Sequence, residues 1–177
     1  MKKKLTLFLP IISISMLFSA YAMAQTCNNA ITKTTPDSRF SVNDDGTLII
    51  DSKTGLSWMR CSVGQSWDED TSSCTGTATR HSWPGALSVA KNVTFAGESD
   101  WRVPNIKALN SIVELACYSP AINETYFPNT VTYYYWSSSY NAYSSSYAWN
   151  VEFSHGSDDR DTLKYNNLFV RLVRGGQ

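Results

Sequence analysis

The chain has 177 residues, 42% of them hydrophobic, and its 15 lysine and arginine residues balance 15 aspartate and glutamate residues to a formal net charge of zero. This length gives one domain able to bury a real core. A chain with no basic excess is not built to neutralise nucleic-acid phosphates, so no nucleic-acid partner is expected.

In chain order, the first signal is an export leader. Lys2, Lys3 and Lys4 precede an apolar run from Leu5 to Phe18, and Ala22-Met23-Ala24 supplies small residues for cleavage, so residues 1–24 read as a signal peptide and the mature chain as starting at Gln25. The run is shorter than the ~20 apolar residues of a spanning helix, and no membrane span is expected. Gln25-Thr26 before Cys27 lacks the small residue of a lipoprotein signal. The expected location is the periplasm or the cell exterior. Removing 1–24 takes away three lysines and leaves 12 positive against 15 negative side chains, or −3. That balance also argues against a strongly anionic ligand.

Cys27, Cys61, Cys74 and Cys117 are four thiols bound for an oxidising compartment, so disulfides are expected, with three pairings possible. The expected set is Cys61–Cys74, closing a Gly-, Ser- and Asp-rich loop at a gain of about 3 kcal/mol, and Cys27–Cys117, tying the mature N-terminus to the end of a helix. A zinc site is disfavoured, because there is no Cys-x-x-Cys pair and His81 and His155 lie far apart in sequence.

After an N-terminal segment over 25–39, Thr47–Asp51 and Leu56–Arg60 read as a β-hairpin joined by Ser52-Lys53-Thr54-Gly55. Ser82 is a candidate N-cap for a helix to about Lys91, with Pro84 in its first turn and Trp83, Ala86, Leu87 and Ala90 on one face. Asn105 caps a second helix whose apolar positions Ile106, Leu109, Ile112, Val113 and Ala116 carry it to about Cys117. Beyond Pro120 and Pro128 the composition turns to Tyr, Ser and Asn. Tyr147–Phe153 alternates as a strand with Tyr147, Trp149, Val151 and Phe153 on one face, and Leu168–Val173 reads as the last strand. Strands, then helices, then strands make an α+β domain with an antiparallel sheet.

Several blocks stand in a fixed order: Asp45-Gly46-Thr47, Asp51, Thr54–Trp58, Asp100–Asn105, Tyr135–Ser139 and Val170–Arg174. This order resembles the Legionella collagen-like protein C-terminal domain family, from about Phe40 to Gln177, giving one family domain over 40–177. The resemblance implies a C-type-lectin-like fold. Because the namesake is an adhesin for sulfated glycosaminoglycans, it also implies a binding module. Within the blocks Trp58, Trp101, Arg102, Pro104, Trp136 and Arg171 are expected to be structural, the tryptophans as core anchors and Arg102 as a fork holding a buried carboxylate or the chain ends.

No enzyme is expected. The formylglycine-generating enzymes have a similar fold, but their paired reactive cysteines near the C-terminus have no counterpart here, where every cysteine lies at or before Cys117. Asp68 with Asp70, and Asp158, Asp159 and Asp161, read as solvated acidic loops rather than acid–base pairs. Asn43-Asp44-Asp45-Gly46 and Ser157–Asp161 offer oxygen ligands that calcium would suit, but neither has EF-hand spacing, and the plain reading of the first is a turn. No cofactor is expected, with calcium as the alternative. Between Tyr133 and Asn167 the Tyr, Ser, Asn and Asp mixture is that of binding loops, or of polar strand edges and turns. Tyr140, Asn141, Tyr143, His155, Asp158 and Tyr165 are the candidate ligand contacts. The function expected is adhesion or recognition of a surface glycan. The alternatives are protein recognition, as in the variable proteins of diversity-generating retroelements, and a surface-appendage subunit.

Overall fold

The computed structural model describes residues 24–175. The expected leader lies outside the described residues except for Ala24, and among the described residues no helix is long and apolar enough to cross a membrane.

The expected hairpin is present as β3 (Leu48–Asp51) and β4 (Leu56–Met59), after β1 (Thr26–Cys27) and β2 (Phe40–Val42). β2 pairs with β3, and β4 with the last strand, to give a four-stranded antiparallel sheet. The Gly-, Ser- and Asp-rich loop is itself a hairpin, β5 (Gln65–Asp68) and β6 (Ser73–Gly76), with Trp67 opposite Cys74. Its regularity escapes a periodicity reading because the Cys61–Cys74 disulfide, rather than an apolar face, holds it down.

Helix α1 (Trp83–Asn92) starts where Ser82 accepts a hydrogen bond from the Gly85 N–H. It buries Ala86 and Ala90 and half-buries Trp83 and Leu87. Helix α2 (Ile106–Ser111) is capped by Asn105, whose side chain accepts from the Ala108 N–H at 2.8 Å. It stops six residues short of the expected end. Ile112, Val113 and Ala116 are buried as expected, but Val113 bridges to Ile122 and the Glu114 N–H donates to the Ala121 carbonyl, so non-local pairing takes over from the helical ladder. Cys117 therefore lies on a strand, β7 (Cys117–Tyr118), and its disulfide to Cys27 joins the paired strands β1 and β7 rather than a helix end.

β8 (Tyr134–Tyr140), β9 (Tyr147–Glu152) and β10 (Ser157–Leu163) form a three-stranded antiparallel sheet, with β9 central. The acidic run Ser157–Asp161, expected as a loop, is an edge strand. Its side chains are exposed, but its backbone pairs with β9 through Asp158 opposite Val151 and Leu163 opposite Tyr147. β9 is buried on both faces, not one: Val151 joins the core with Phe153, Tyr135 and Trp58, while Ala148 faces Trp136, Ala86 and Leu172. Successive residues of a strand point to opposite faces, so Tyr135 and Trp136 of β8 anchor the two apolar clusters on either side of the same sheet. The final regular strand is only β11 (Val173–Gly175). Leu168–Leu172 is extended but shares its bonds among several partners, including the backbones of His81, Tyr134, Val63 and Met59.

Three of the sequence blocks meet here. The Ser138 N–H donates to the Pro104 carbonyl, Ser139 Oγ accepts from the Ile106 N–H, and the Trp136 N–H donates to the Phe169 carbonyl. Trp58, Trp101, Pro104 and Trp136 are buried, and the Trp101 and Trp136 indole N–H groups donate to the Phe95 and His81 carbonyls. Arg102 holds a chain end rather than a buried carboxylate, since it donates to the Gly175 carbonyl at 3.1 Å. The buried carboxylate belongs to another pair, Arg39 with Asp51, where the Arg39 fork grips both Asp51 oxygens and also donates to the Ser111 carbonyl. Arg171 is fully buried and reaches the Met59 and Arg60 carbonyls and the Ser62 and Thr130 hydroxyls, and burial lowers its pKa to about 10.

Candidate functional site

The six candidate contacts do not converge. Tyr140 ends β8, Asn141 and Tyr143 stand in the loop to β9, and Tyr165 follows β10, so these four share one end of the β8–β9–β10 sheet. His155 and Asp158 sit at the β9–β10 turn, a strand length of roughly 17–20 Å away.

At the first end, three tyrosines point to solvent: Tyr140 is 65% exposed, Tyr143 89% and Tyr165 72%. Asn141 is the exception, at 5% exposed. Its amide donates to the Arg160 carbonyl and to Asp161 Oδ1 at 2.7 Å, and its oxygen accepts from the Tyr143 N–H. Asn141 is a brace inside the loop and leaves almost no surface for a ligand to touch. The brace matters because a serine-rich loop has no apolar anchor of its own. Backbone bonds complete the frame: the Lys164 N–H donates to the Ser146 carbonyl, and the Trp83 N–H donates to the Lys164 carbonyl. These links dock the loop and the Tyr165 turn against the start of α1, where an open groove of about 460 Å³ is lined by Ser82, Pro84, Ser145, Ser146, Lys164 and Tyr165. Lys164 Nζ lies 4.3 Å from the centre of the Trp83 ring, and the Arg160 guanidinium 5.7 Å from that of Tyr143. The surface therefore combines aromatic faces, hydroxyls and two cations, which suits a polyhydroxylated ligand packed on a ring and hydrogen-bonded at its edge.

Composition points to Tyr165 but not to its neighbours in the groove, Ser82, Pro84 and Lys164. Lys164 is adjacent to Tyr165 and was within reach of such a reading. The first turn of α1 was not, because tertiary contacts bring it there: the Trp83 N–H donates to the Lys164 carbonyl and its indole N–H to the Ser137 carbonyl.

At the other end, His155 Nδ1 lies 2.9 Å from Ser154 Oγ and its ring runs parallel to Tyr118 at 6.4 Å between centres. Asp158 accepts from Asn110 at 3.3 Å and borders a cleft of about 360 Å³ with Thr34, Lys53 and Leu115. Of the calcium candidates, Asp45 is occupied as a turn cap, accepting from the Thr47 N–H and from Asn43. Those bonds hold its carboxyl below the usual carboxylate range, the Thr47 hydroxyl contributing most. In the second string, Asp159 accepts from the Asp161 N–H and the Thr162 hydroxyl, and Asp161 from Asn141. Among the described residues no three His, Cys, Asp or Glu side chains gather as a metal would require.

Most of the blocks that carry the family resemblance contribute to the core and to the junctions between sheets, while Asp45-Gly46-Thr47 forms a surface turn. The tyrosine loops stand apart from them, on a surface framed by those junctions. No curated protein matches the chain. The Lcl C-terminal domain model matches residues 47–174, nearly all of the described fold beyond its N-terminal segment, and the chain belongs to the Lcl C-terminal domain family.

Proposed function

We propose that the protein is an exported, non-enzymatic binding module that recognises carbohydrate on the surface formed by the β8–β9 loop and the Tyr165 turn. The observation that carries this reading is the pair Tyr143 and Tyr165, both mostly exposed, on loops braced from within by Asn141 and beside a hydroxyl-lined groove. Rigid exposed aromatic rings on a braced frame present contact area at little entropic cost. Arg160 and Lys164 beside these rings extend the ligand class to glycosaminoglycan-like acidic sugars despite the net charge. The mixed α+β architecture, with its antiparallel sheets, two helices and two disulfides, supports a C-type-lectin-like arrangement. The disulfides also support delivery to an oxidising compartment, the periplasm or the cell surface, after cleavage of the leader near Ala24. The carboxylates that could have served acid–base chemistry act as turn caps, Asp68 for the Asp70 N–H and Asp159 for the Asp161 N–H, which supports a non-enzymatic role without a cofactor.

The Tyr- and Ser-rich loop from Tyr140 to Tyr147 also favours a second reading, recognition of a protein surface, since the same residues serve protein paratopes. A glycan array run with and without calcium separates the readings. Binding to a defined set of glycans, equal in both arms, is the expected result. Loss of signal on chelation would make calcium a cofactor, and no glycan binding in either arm would favour a protein ligand.

A further inference from the structure

Of the four cysteines only Cys27 is exposed, while Cys61, Cys74 and Cys117 keep 8%, 1% and 7% of their surface. Thiol–disulfide exchange proceeds by attack of a thiolate on one sulfur, which expels the other, so access to the attacked sulfur governs the rate. The Cys61–Cys74 bridge offers neither cysteine unless the β5–β6 hairpin lifts, and the Asn129 amide also holds the Cys74 carbonyl at 2.9 Å. The Cys27–Cys117 bridge presents Cys27 to solvent, with Cys117 as the buried leaving group.

Opening this second bridge leaves the segment around it fastened. Gln25 Nε2 donates to the Pro120 and Ile122 carbonyls at 2.7 and 2.6 Å, and the Asn28 N–H donates to the Ala116 carbonyl. Further along, the Glu114 carboxylate holds the Thr34 and Thr35 N–H groups. None of these bonds involves sulfur, so reduction removes the covalent tie and keeps the rest.

The surroundings suit a protein reductant. Residues 25–32 and 115–123 carry no charged side chain, so neither stretch repels a thiolate. Tyr118, next to Cys117 and opposite Thr26, is 49% exposed, and Leu115 is 60% exposed. Exposed apolar side chains beside a reactive bond give a partner contact area. The connectivity asks for such a partner, because Cys61–Cys74 is nested inside Cys27–Cys117. A chain exported N-terminus first brings Cys61 out before Cys117, so Cys27 meets a wrong partner first and reaches its native one by exchange.

From the exposure, the sulfur-free anchors, the apolar rim and the nested connectivity, we propose that Cys27 is a thiol-exchange site on which a Cys-x-x-Cys oxidoreductase of the oxidising compartment docks over Tyr118 and Leu115. Its thiolate attacks Cys27 Sγ, the bond to Cys117 breaks, and Cys117 leaves as a thiolate that takes up a proton. The partner's second thiol then attacks its own sulfur in the mixed disulfide and releases Cys27, so two electrons pass from the dithiol to the bridge. The reverse sequence closes it again. The class of partner rests on the export reading; the reactivity of Cys27 does not.

The test treats the folded, processed protein with dithiothreitol or with a reduced periplasmic disulfide isomerase, followed by alkylation and peptide mapping. Label should appear at Cys27 and Cys117 well before Cys61 and Cys74, with the near-ultraviolet dichroism of the fold retained. An isomerase whose second active-site cysteine is serine should be trapped on Cys27. Tyr118→Ser should keep the wild-type melting temperature, slow the isomerase at least about threefold and leave the dithiothreitol rate unchanged. First label at Cys61 or Cys74, trapping on Cys117, or a rate that tracks global unfolding in urea would overturn the exchange site. Equal isomerase rates for wild type and Tyr118→Ser would overturn the docking surface. All labelling is read on purified wild-type protein, so these outcomes leave the export reading to be judged separately, by the N-terminal sequence of the secreted chain.

Discussion

Glu114→Gln probes how the N-terminal segment is fastened to the domain. The Glu114 side chain is buried, and its two oxygens take four hydrogen bonds: Oε1 accepts from the Thr34 and Ala116 N–H groups, and Oε2 from the Thr35 N–H and hydroxyl, both at 2.8 Å. Glutamine has the same shape, but it must place its NH₂ where one of these oxygens stood, facing at least one fixed backbone N–H. The Thr35 hydroxyl can turn; the backbone donors cannot. One buried N–H loses its acceptor, and the charge that strengthened the remaining bonds is gone, so the expected cost is about 3 kcal/mol. The pH dependence follows from the same contacts. Burial pushes the Glu114 carboxyl up, but the Ala116 and Thr35 N–H groups, the Thr35 hydroxyl and the Thr34 N–H outweigh it and hold the carboxyl below its ordinary 4.5. A depressed carboxylate contributes its full stability above the unfolded-state pKa and loses it as the pH falls through the lowered folded value. Urea unfolding at neutral pH should therefore show the full gap between wild type and variant, and the gap should narrow in acid below the ordinary carboxylate range. A variant within about 0.5 kcal/mol of wild type at neutral pH, or a gap that acid does not narrow, would refute this account of the anchor.

Trp101→Ala and Trp136→Ala each remove a buried indole and a hydrogen bond to a carbonyl, and each should cost about 3–5 kcal/mol, read as a lowered urea midpoint with an unchanged slope. Either variant keeping wild-type stability would remove that tryptophan from the core. The mature protein should weigh four hydrogens less than its reduced form, and Cys61→Ser should lose about 3 kcal/mol by opening the Cys61–Cys74 loop. Asn141→Ala should leave the domain's melting temperature nearly unchanged but speed amide exchange from Asn141 to Ser146, because it removes the brace to Asp161 and the Arg160 carbonyl. Unaltered exchange there would show that the backbone bonds alone hold the loop.

Elements with a local signature were legible. Ser82 before Trp83-Pro84, and Asn105 before Ile106, mark helix starts that the chain adopts, because a cap and its first turn lie within four residues. The Thr47–Asp51 and Leu56–Arg60 strands announce themselves by β-branched and aromatic residues around Gly55. Elements defined by distant partners were not legible. β10 reads as an acidic loop because nothing in Ser157–Asp161 reveals that its backbone pairs with Asn150 and Val151. The second helix looks longer than it is because Ile112, Val113 and Ala116 keep helical spacing while serving a buried turn tied to Ala121 and Ile122. The tyrosines of the candidate surface could be found by composition, since excess aromatic residues in a polar stretch exceed what a core needs. Asn141 could not be told from them, because a brace and a contact share one residue type and only its buried bonds to the β10 strand distinguish the two. His155 and Asp158 were grouped with the site by sequence proximity, yet a single strand carries them to the opposite end.

The most direct test of the central claim is calorimetric titration of a glycan chosen from the array into wild type, Tyr140→Ala, Tyr143→Ala and Tyr165→Ala, at low and high salt. All three variants should keep the wild-type melting temperature, and at least one should lose about 2 kcal/mol of binding free energy. Salt should matter little for a neutral glycan and should weaken an acidic one through Arg160 and Lys164. Wild-type affinity in all three variants would contradict the assignment of the β8–β9 loop and the Tyr165 turn as the ligand surface.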